Sequence, residues 1–554
     1  MKKFSLLLLL IFFCSLTLRI YGLGDFPVGF HRDEAFLGYN SYSLLKTGRE
    51  MTGDLLPLHL ASYLYSPAGY SYVAIPSIAV FGLSEFSVRF PSALFGALSV
   101  LLLYIATRML FVGYQKRQML ALLSSLLFAI IPWHINLSRT TTENTIVVFF
   151  YLLGLILFLK WREKQNFLLL FVTFSTFFVT LFLYQAPRAF LPLFLPLLFV
   201  TLAKQQVKKQ WKASSILFIT ILLPIAFVLL SSTLSLRISS LTLTSSPEAS
   251  LRLIETIHRD GEVGISHHVA RMFHNKLLVF SDQFFINYFS HFTYSFLFSD
   301  AGFPDRYRIP GVGLLYLPLL PFLLFGSFAL LKEKKRIGLF LIGWVLLSPI
   351  GSALTFDDVP NLQRTLFMLP PLIIIIAFGI VWIFNKLRKY KKISYFLIIL
   401  VILSMTFFFV KYLHEYYVHA PAYRPWYRNA GYKELVKKTN KFLSQYKRMV
   451  VTNRESAPTI FFLFYSSYDP VRFQEETQYT AMKDFDRINF GQYQFSQEEC
   501  PAREIINEGG LTKTFEEDVL YVNSGLCKEP ESLRVLEIIK REDNSEVFHI
   551  VEAK

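Results

Sequence analysis

Charged residues are scarce in this sequence: Asp, Glu, Lys and Arg make up 17% of its 554 residues, while 53% are hydrophobic. Soluble domains carry about 25% charge, and a core of this size cannot bury so many apolar side chains. The deficit therefore excludes an ordinary soluble protein and requires a membrane as second solvent. Cysteine is scarcer still. There are three, Cys14, Cys500 and Cys527, with no Cys-x-x-Cys pair and no His/Cys metal spacing, which excludes a cysteine metal site. No internal repeat is visible, which weighs against many transporter architectures. What is abundant is Phe (57) and Tyr (29), as suits long lipid-facing helices with amphipathic rings at their ends.

The net charge of +16 could indicate nucleic acid, but no basic stretch is interleaved with stacking aromatics in a polar domain. Most Lys and Arg lie in short clusters between apolar runs, where they act as topology signals. Runs long enough to cross roughly 30 Å of hydrocarbon lie near 4–20, 90–112, 117–133, 144–160, 166–184, 187–203, 213–233, 311–331, 337–354, 365–385 and 394–411. The first has the charged start of a signal peptide but no small-x-small cleavage site, so it reads as an uncleaved span.

With a cytoplasmic N-terminus, Lys116-Arg117, Lys160/Arg162/Lys164, Lys204/Lys208/Lys209/Lys212, Lys332/Lys334/Lys335/Arg336 and Lys386/Arg388/Lys389/Lys391/Lys392 all fall on one side, the cytoplasm by the positive-inside rule. The opposite short loops, 133–143, 184–188 and 355–364, hold one arginine each. The fold class expected is mainly α: a polytopic membrane helical bundle of about eleven spans over 1–411, with outer loops 21–89 and 234–310. Residues 412–554 follow as a small extracytoplasmic α/β domain. That tail shows a helix around 429–446, a β-rich MVVTN, an apolar helix from Pro458, and strands near DVLYVNSG and EVFHIVEA. Cys500 and Cys527 either pair there or remain ordinary buried thiols. In the first outer loop, AFLGYNSYSLLKTG and SPAGYSYVAIPSIAVFG read as helices lying in the membrane interface, as does HHVARMFHNK in the second.

The densest polar cluster near a membrane boundary is His31-Arg32-Asp33-Glu34. A carboxylate at the rim of a partly apolar cavity can act as a general base, since desolvation raises its pKa while a neighbouring Arg holds it ionised. The alternative is that Asp33 or Glu34 merely caps the following helix. Arg139 and Glu143 are four residues apart, and share a helical face if the fourth span starts early enough; a surface ion pair is the other reading. Tyr184 and Arg188 lie between spans five and six, and Asp357-Asp358, Asn361 and Arg364 precede span ten. A single outer arginine commonly snorkels to headgroups, but three on one side suit an anionic lipid phosphate, which Arg binds through a fixed fork of donors. A metal at His31, Asp33, Glu34 or His59 matches no ligand motif.

DEAFLGYNSYSLLKTG, GLSEFSVRFPSALFG and HINLSRTTTEN resemble the membrane glycosyltransferases of GT-C fold, in particular the protein O-mannosyltransferase and aminoarabinose lipid A transferase group (glycosyltransferase family 39-like). The resemblance runs from about residue 20 to 410. It implies inverting transfer of a sugar, hexosyl or pentosyl, from a polyprenyl-phosphate-linked donor to an acceptor hydroxyl on a protein, lipid or glycan at the outer face of the plasma (inner) membrane. It carries the catalytic base onto Asp33, with Glu34 beside it and Glu143 as a second acidic residue. Arg139, Arg188 and Arg364 are then expected to bind the donor phosphate, and Arg32, His59, Tyr65 and Tyr184 to contact substrate. Some relatives have a basic residue just before a proline in the first loop; here the stretch is Leu64-Tyr65-Ser66-Pro67, which weakens phosphate contacts from that loop. No cofactor is fixed by these residues, a divalent metal being possible, and no nucleic-acid partner is expected. The competing readings are a lipid-linked glycan flippase or transporter, which would need charges deep in its spans, and an outer receptor or assembly module on a membrane anchor.

Overall fold

The computed structural model describes residues 2–63, 65–203, 242–300, 302–477, 487–507 and 510–554. The apolar run 213–233, the basic cluster Lys204/Lys208/Lys209/Lys212 and Leu64 lie outside the described residues. The other predicted runs form helices, from Lys2–Ile20 through Glu85–Leu110, Glu143–Lys164, Phe167–Leu183 and Ala186–Leu202 to Leu320–Glu333, Lys335–Leu347, Leu369–Lys386 and Lys391–His414, although the run predicted over 311–331 is helical only from Leu317. Among the described residues, five helical stretches are long and apolar enough to cross a membrane. A sixth forms if Arg117–Ile130 and Pro132–Ser138, bent by 57°, count as one span. The bend follows from Pro132, which drives Ile131 into an extended conformation (φ −70°, ψ 131°).

The chain divides into two compact units. The first holds Met1–Arg19, Ser92–Ser138 and Thr142–Tyr412. Within it Leu320–Glu333 and Leu369–Lys386 approach so closely that a Cβ at Gly326 would collide with the Ile375 carbonyl, and one at Gly379 with that of Phe322. Small residues at crossings are how helices pack where water supplies no driving force. The apolar window of the Lys391–His419 stretch, by contrast, is 0% buried inside the protein, an apolar surface that suits the hydrocarbon of a bilayer. Charged groups also enter this unit's interior, the Arg19 guanidinium among them: it donates to Ser15 Oγ (2.6 Å) and to the Ala129 carbonyl (3.2 Å), and stands 2.7 Å from His134 Nδ1.

The second unit holds Ile20–Pro91, Arg139–Thr141 and Leu413–Lys554. Its centre is a five-stranded sheet in the order Tyr493–Ser496, Arg448–Thr452, Val519–Ser524, Glu546–Ala553, Leu533–Lys540. The first three strands run parallel, and Glu546–Ala553 is antiparallel to both its neighbours. The expected tail helices are Tyr432–Phe442 and Pro458–Tyr465, and Cys500 and Cys527 form a disulfide.

Pro458–Tyr465 is buried on all sides from Pro458 to Phe464, because it is sandwiched. Phe462 meets Phe495 of the sheet at 5.7 Å between ring centroids, and Phe464 meets Phe30 of the first loop at 4.7 Å. The helix Arg32–Thr47 lies against that far side. A Cβ at Gly38 would stand 2.8 Å from the Phe464 ring, and the Tyr39 hydroxyl donates to the Tyr468 carbonyl at 3.0 Å. Arg32–Thr47 is therefore a core helix, buried from Glu34 to Ser41, and not the interfacial helix its mixed polarity suggested. Gly, Asn and Ser on its faces are packing and hydrogen-bonding residues: Asn40 Nδ2 donates to Ser62 Oγ, and Met51 N donates to Asn40 Oδ1.

Candidate active site

The turn before Arg32–Thr47 sets the geometry. His31 is its N-cap: its Nδ1 accepts from Asp33 N (3.2 Å), while the Glu34 carboxylate accepts from His31 N (3.4 Å), a reciprocal capping box. Asp33 and Glu34 sit in the first turn, where the helix dipole favours negative charge. Successive residues point about 100° apart around a helix, so the adjacent carboxylates diverge.

Glu34 points inward. Arg89 Nε donates to Oε2 at 2.9 Å and Arg89 Nη2 to Oε1 at 3.1 Å. Thr141 adds its N–H and its hydroxyl, each 3.0 Å from Oε2, and Arg428 Nη1 stands 3.8 Å from Oε1. Burial by itself pushes this carboxyl upward. The Arg89 charge and hydrogen bonds, then Arg428 and the Thr141 N–H, outweigh it and hold the pKa down at about 2. The same Arg89 guanidinium donates to the carbonyls of Leu23, Pro27 and Gly29, and so fastens the loop leading into the helix.

Asp33 points outward, its side chain 23% exposed, with Oδ2 3.4 Å from His31 Nδ1 and Oδ1 4.0 Å from Arg32 Nε. Arg32 turns to the tail: its backbone N–H donates to Asn429 Oδ1 and its Nη1 to Ser456 Oγ. Arg139 is wholly buried. Its Nε donates to the Tyr416 hydroxyl at 2.9 Å and its Nη2 to the carbonyls of Tyr21 and Phe26, while the rings of Tyr416 and Tyr417 lie 5.1 and 5.6 Å from its guanidinium. His59 belongs to a two-stranded hairpin, His59–Leu60 with Ser66–Pro67, and Tyr65 occupies a left-handed conformation (φ 55°) in its turn. Glu50 anchors that hairpin by accepting from Ala61 N and Ser62 Oγ, and burial raises its pKa.

The remaining expected site residues belong to the first unit. Glu143 begins the helix Glu143–Lys164, and its Oε2 accepts from Gln363 Nε2 at 3.3 Å. Because Pro132–Ser138 ends at Ser138 and Thr142 is extended (φ −122°), Arg139 and Glu143 do not share a helical face. Both are buried, so neither the shared-face reading nor the surface ion pair holds. Arg188 donates from Nε and Nη2 to the Leu181 carbonyl. Arg364 donates to Thr355 Oγ1 (2.6 Å), the Asp357 carbonyl and the Asp357 carboxylate (3.1 Å). Burial opposes its charge, but Tyr184 and Asp357 hold it ionised. The loops around 303 and 361 run side by side, Phe303 N donating to Pro360 O and Leu362 N to Phe303 O. There burial raises the Asp358 carboxyl against the pull of Arg306 and Arg364.

The structure thus brings Arg32, Asp33 and Glu34 together and puts Tyr184 in the field of Arg364. Arg89, Thr141 and Arg428 were not singled out from sequence. Arg89 lies inside GLSEFSVRFPSALFG, where an arginine between two phenylalanines in an apolar helix was the available signal.

Residues 66–232 match the family model of the dolichyl-phosphate-mannose-protein mannosyltransferases. No curated protein matches the chain. Among solved structures, ArnT from Cupriavidus metallidurans bound to undecaprenyl phosphate is similar at 12% identity and TM-score 0.51, covering 99% of this chain and 97% of that one. The Archaeoglobus fulgidus oligosaccharyltransferase tethered with an acceptor peptide containing the NVT sequon is similar at 14% identity and TM-score 0.51, covering 84% of this chain and 63% of that one. The same archaeal enzyme in complex with Zn and sulfate gives 14% identity and TM-score 0.50, with 83% and 61% covered. The chain spans a little under two thirds of the length of these archaeal proteins. It has the GT-C fold of membrane glycosyltransferases, and its segment 66–232 carries the sequence pattern of the dolichyl-phosphate-mannose-protein mannosyltransferases.

Proposed function

We propose that the chain transfers a sugar from a polyprenyl-phosphate-linked donor to an acceptor hydroxyl at the outer face of the membrane, with Asp33 as general base. One observation carries this reading. Of two adjacent carboxylates on the first turn of a core helix, Glu34 is locked by Arg89 and Thr141, while Asp33 is presented outward at the same rigid position. A base held by a fixed helix end needs little reorganisation as the proton moves.

In this reading Asp33 accepts the proton of the acceptor hydroxyl as its oxygen attacks the anomeric carbon. The bond from that carbon to the phosphate oxygen breaks, its electron pair leaves with the lipid phosphate, and the anomeric centre inverts. Arg188 and Arg364 are the guanidinium groups assigned to the departing phosphate, since Arg stays charged when desolvated. Glu143 is taken as a second acidic residue of the reaction, and Arg32, His59, Tyr65 and Tyr184 as substrate contacts. Arg139, wholly buried between Tyr416 and the carbonyls of Tyr21 and Phe26, is a positioning residue. The chain is read as a multi-pass protein of the plasma (inner) membrane, with its N-terminus cytoplasmic and residues 412–554 outside. The lipid phosphate bound by ArnT and the peptide held by the archaeal enzyme support a lipid-linked donor and a macromolecular or lipid acceptor.

The test is to incubate membranes holding the full chain with polyprenyl-phosphate sugars and to follow products by mass spectrometry. A mass gain of one sugar on an acceptor, with release of polyprenyl phosphate, is expected. Transbilayer movement of donor with no new glycosidic bond would instead identify a flippase.

A further inference from the structure

The helix Lys391–His414 does not end cleanly; it widens into a π-helical turn over Glu415–His419, closed by Ala420 N donating to Glu415 O at 2.8 Å. In an α-helix, residues five apart diverge by about 140°, whereas an i→i+5 turn returns them to one face. The wide turn therefore sets His414, Glu415 and His419 side by side. The two imidazoles are 4.7 Å apart between centroids, His419 Nδ1 is 2.7 Å from Glu415 Oε2, and one ligand atom from each residue lies within 4.8 Å of the others. Among the described residues this is the one such group of three. The intervening Tyr416 is buried and holds Arg139, its hydroxyl accepting from Nε.

We propose that His414, Glu415 and His419 form a Zn²⁺ site that fastens the π turn from which Tyr416 holds Arg139. The donor set selects the cation: two imidazoles and one carboxylate suit a borderline transition ion, whereas Ca²⁺ and Mg²⁺ require oxygen shells. Zn–N and Zn–O bonds of about 2.0–2.1 Å put tetrahedral ligands about 3.3 Å apart. The Glu415–His419 pair opens slightly to meet that spacing, and His414 rotates inward, with water as fourth ligand. His414 and His419 are both exposed, which gives the ion an entry path. A π turn is a rare backbone state that commonly marks a functional position, and metal bonds across it would add directly to its stability.

The test uses the full chain, free of any polyhistidine tag, in nanodiscs, with ZnCl₂ titrated calorimetrically and bound metal counted after dialysis. One Zn²⁺ per chain is expected, and a rise in the thermal midpoint on addition of Zn²⁺. Affinity should weaken more than about tenfold in His419→Ala and in the milder Glu415→Gln, and neither Mg²⁺ nor Ca²⁺ should compete. No saturable Zn²⁺ binding by the unaltered chain, unchanged affinity in His414→Ala/His419→Ala, or equal displacement by Mg²⁺ would overturn the proposal. None of these readouts depends on sugar transfer.

Discussion

Arg89 grips Glu34 through two hydrogen bonds, Nε to Oε2 at 2.9 Å and Nη2 to Oε1 at 3.1 Å, with both side chains essentially buried. This pair accounts for why only one of two neighbouring carboxylates is presented outward.

Removing one partner should be costly, because the survivor is left as an uncompensated buried charge. Arg89→Met should destabilise the second unit by about 3–5 kcal/mol, while Arg89→Met with Glu34→Gln recovers part of that loss. Thermal melts of the purified chain in detergent check this, and a double variant worse than either single would refute the pairing.

The same carboxylate predicts an acid limit. Its folded pKa, about 2, lies below the ordinary 4.5, so folding favours the ionised form. The contribution is fully present above pH 4.5 and drains away as pH falls toward 2. The apparent midpoint should drop across that window, and Glu34→Gln should flatten the drop while lowering stability at neutral pH.

The tail should not be separable from the first loop. Gly38 has no room for a Cβ between Val88 and the Phe464 ring, so Gly38→Val should loosen Arg32–Thr47 from Pro458–Tyr465 and cost about 1–3 kcal/mol. Deleting 412–554 should abolish transfer and expose the first loop to protease. A truncated chain with a protected first loop would contradict the single packed unit.

The Cys500–Cys527 bridge closes 27 residues of chain, which by loop-closure entropy stabilises the tail by about 3.5 kcal/mol. Cys500→Ser with Cys527→Ser should lower the tail's midpoint, and thiol labelling of unreduced, denatured protein should find Cys14 alone.

The helices were legible because an apolar run of span length has few other folds open to it. The strands Arg448–Thr452 and Glu546–Ala553 were legible from β-branched and aromatic residues. Leu533–Lys540 was missed since LRVLEIIK spaces its apolar residues as a helix would, and the strand shifts register against its partner. Tyr493–Ser496 is four residues long, too short for alternation to show. At the site, Asp33-Glu34 stood out as acids opening a helix, but Glu34's partner lies 55 residues away, a pairing no local pattern carries. The Arg139–Glu143 reading failed because Thr140–Thr142 separates two helices instead of continuing one.

The most direct measurement is single-turnover transfer from a polyprenyl-phosphate sugar by Asp33→Asn, compared with the unaltered chain at matched thermal midpoint. The isosteric change keeps the helix cap but removes the proton acceptor, and the rate should fall by about 10²–10⁴ with folding unchanged. Turnover by Asp33→Asn at the rate of the unaltered chain would contradict the assignment of Asp33 as base.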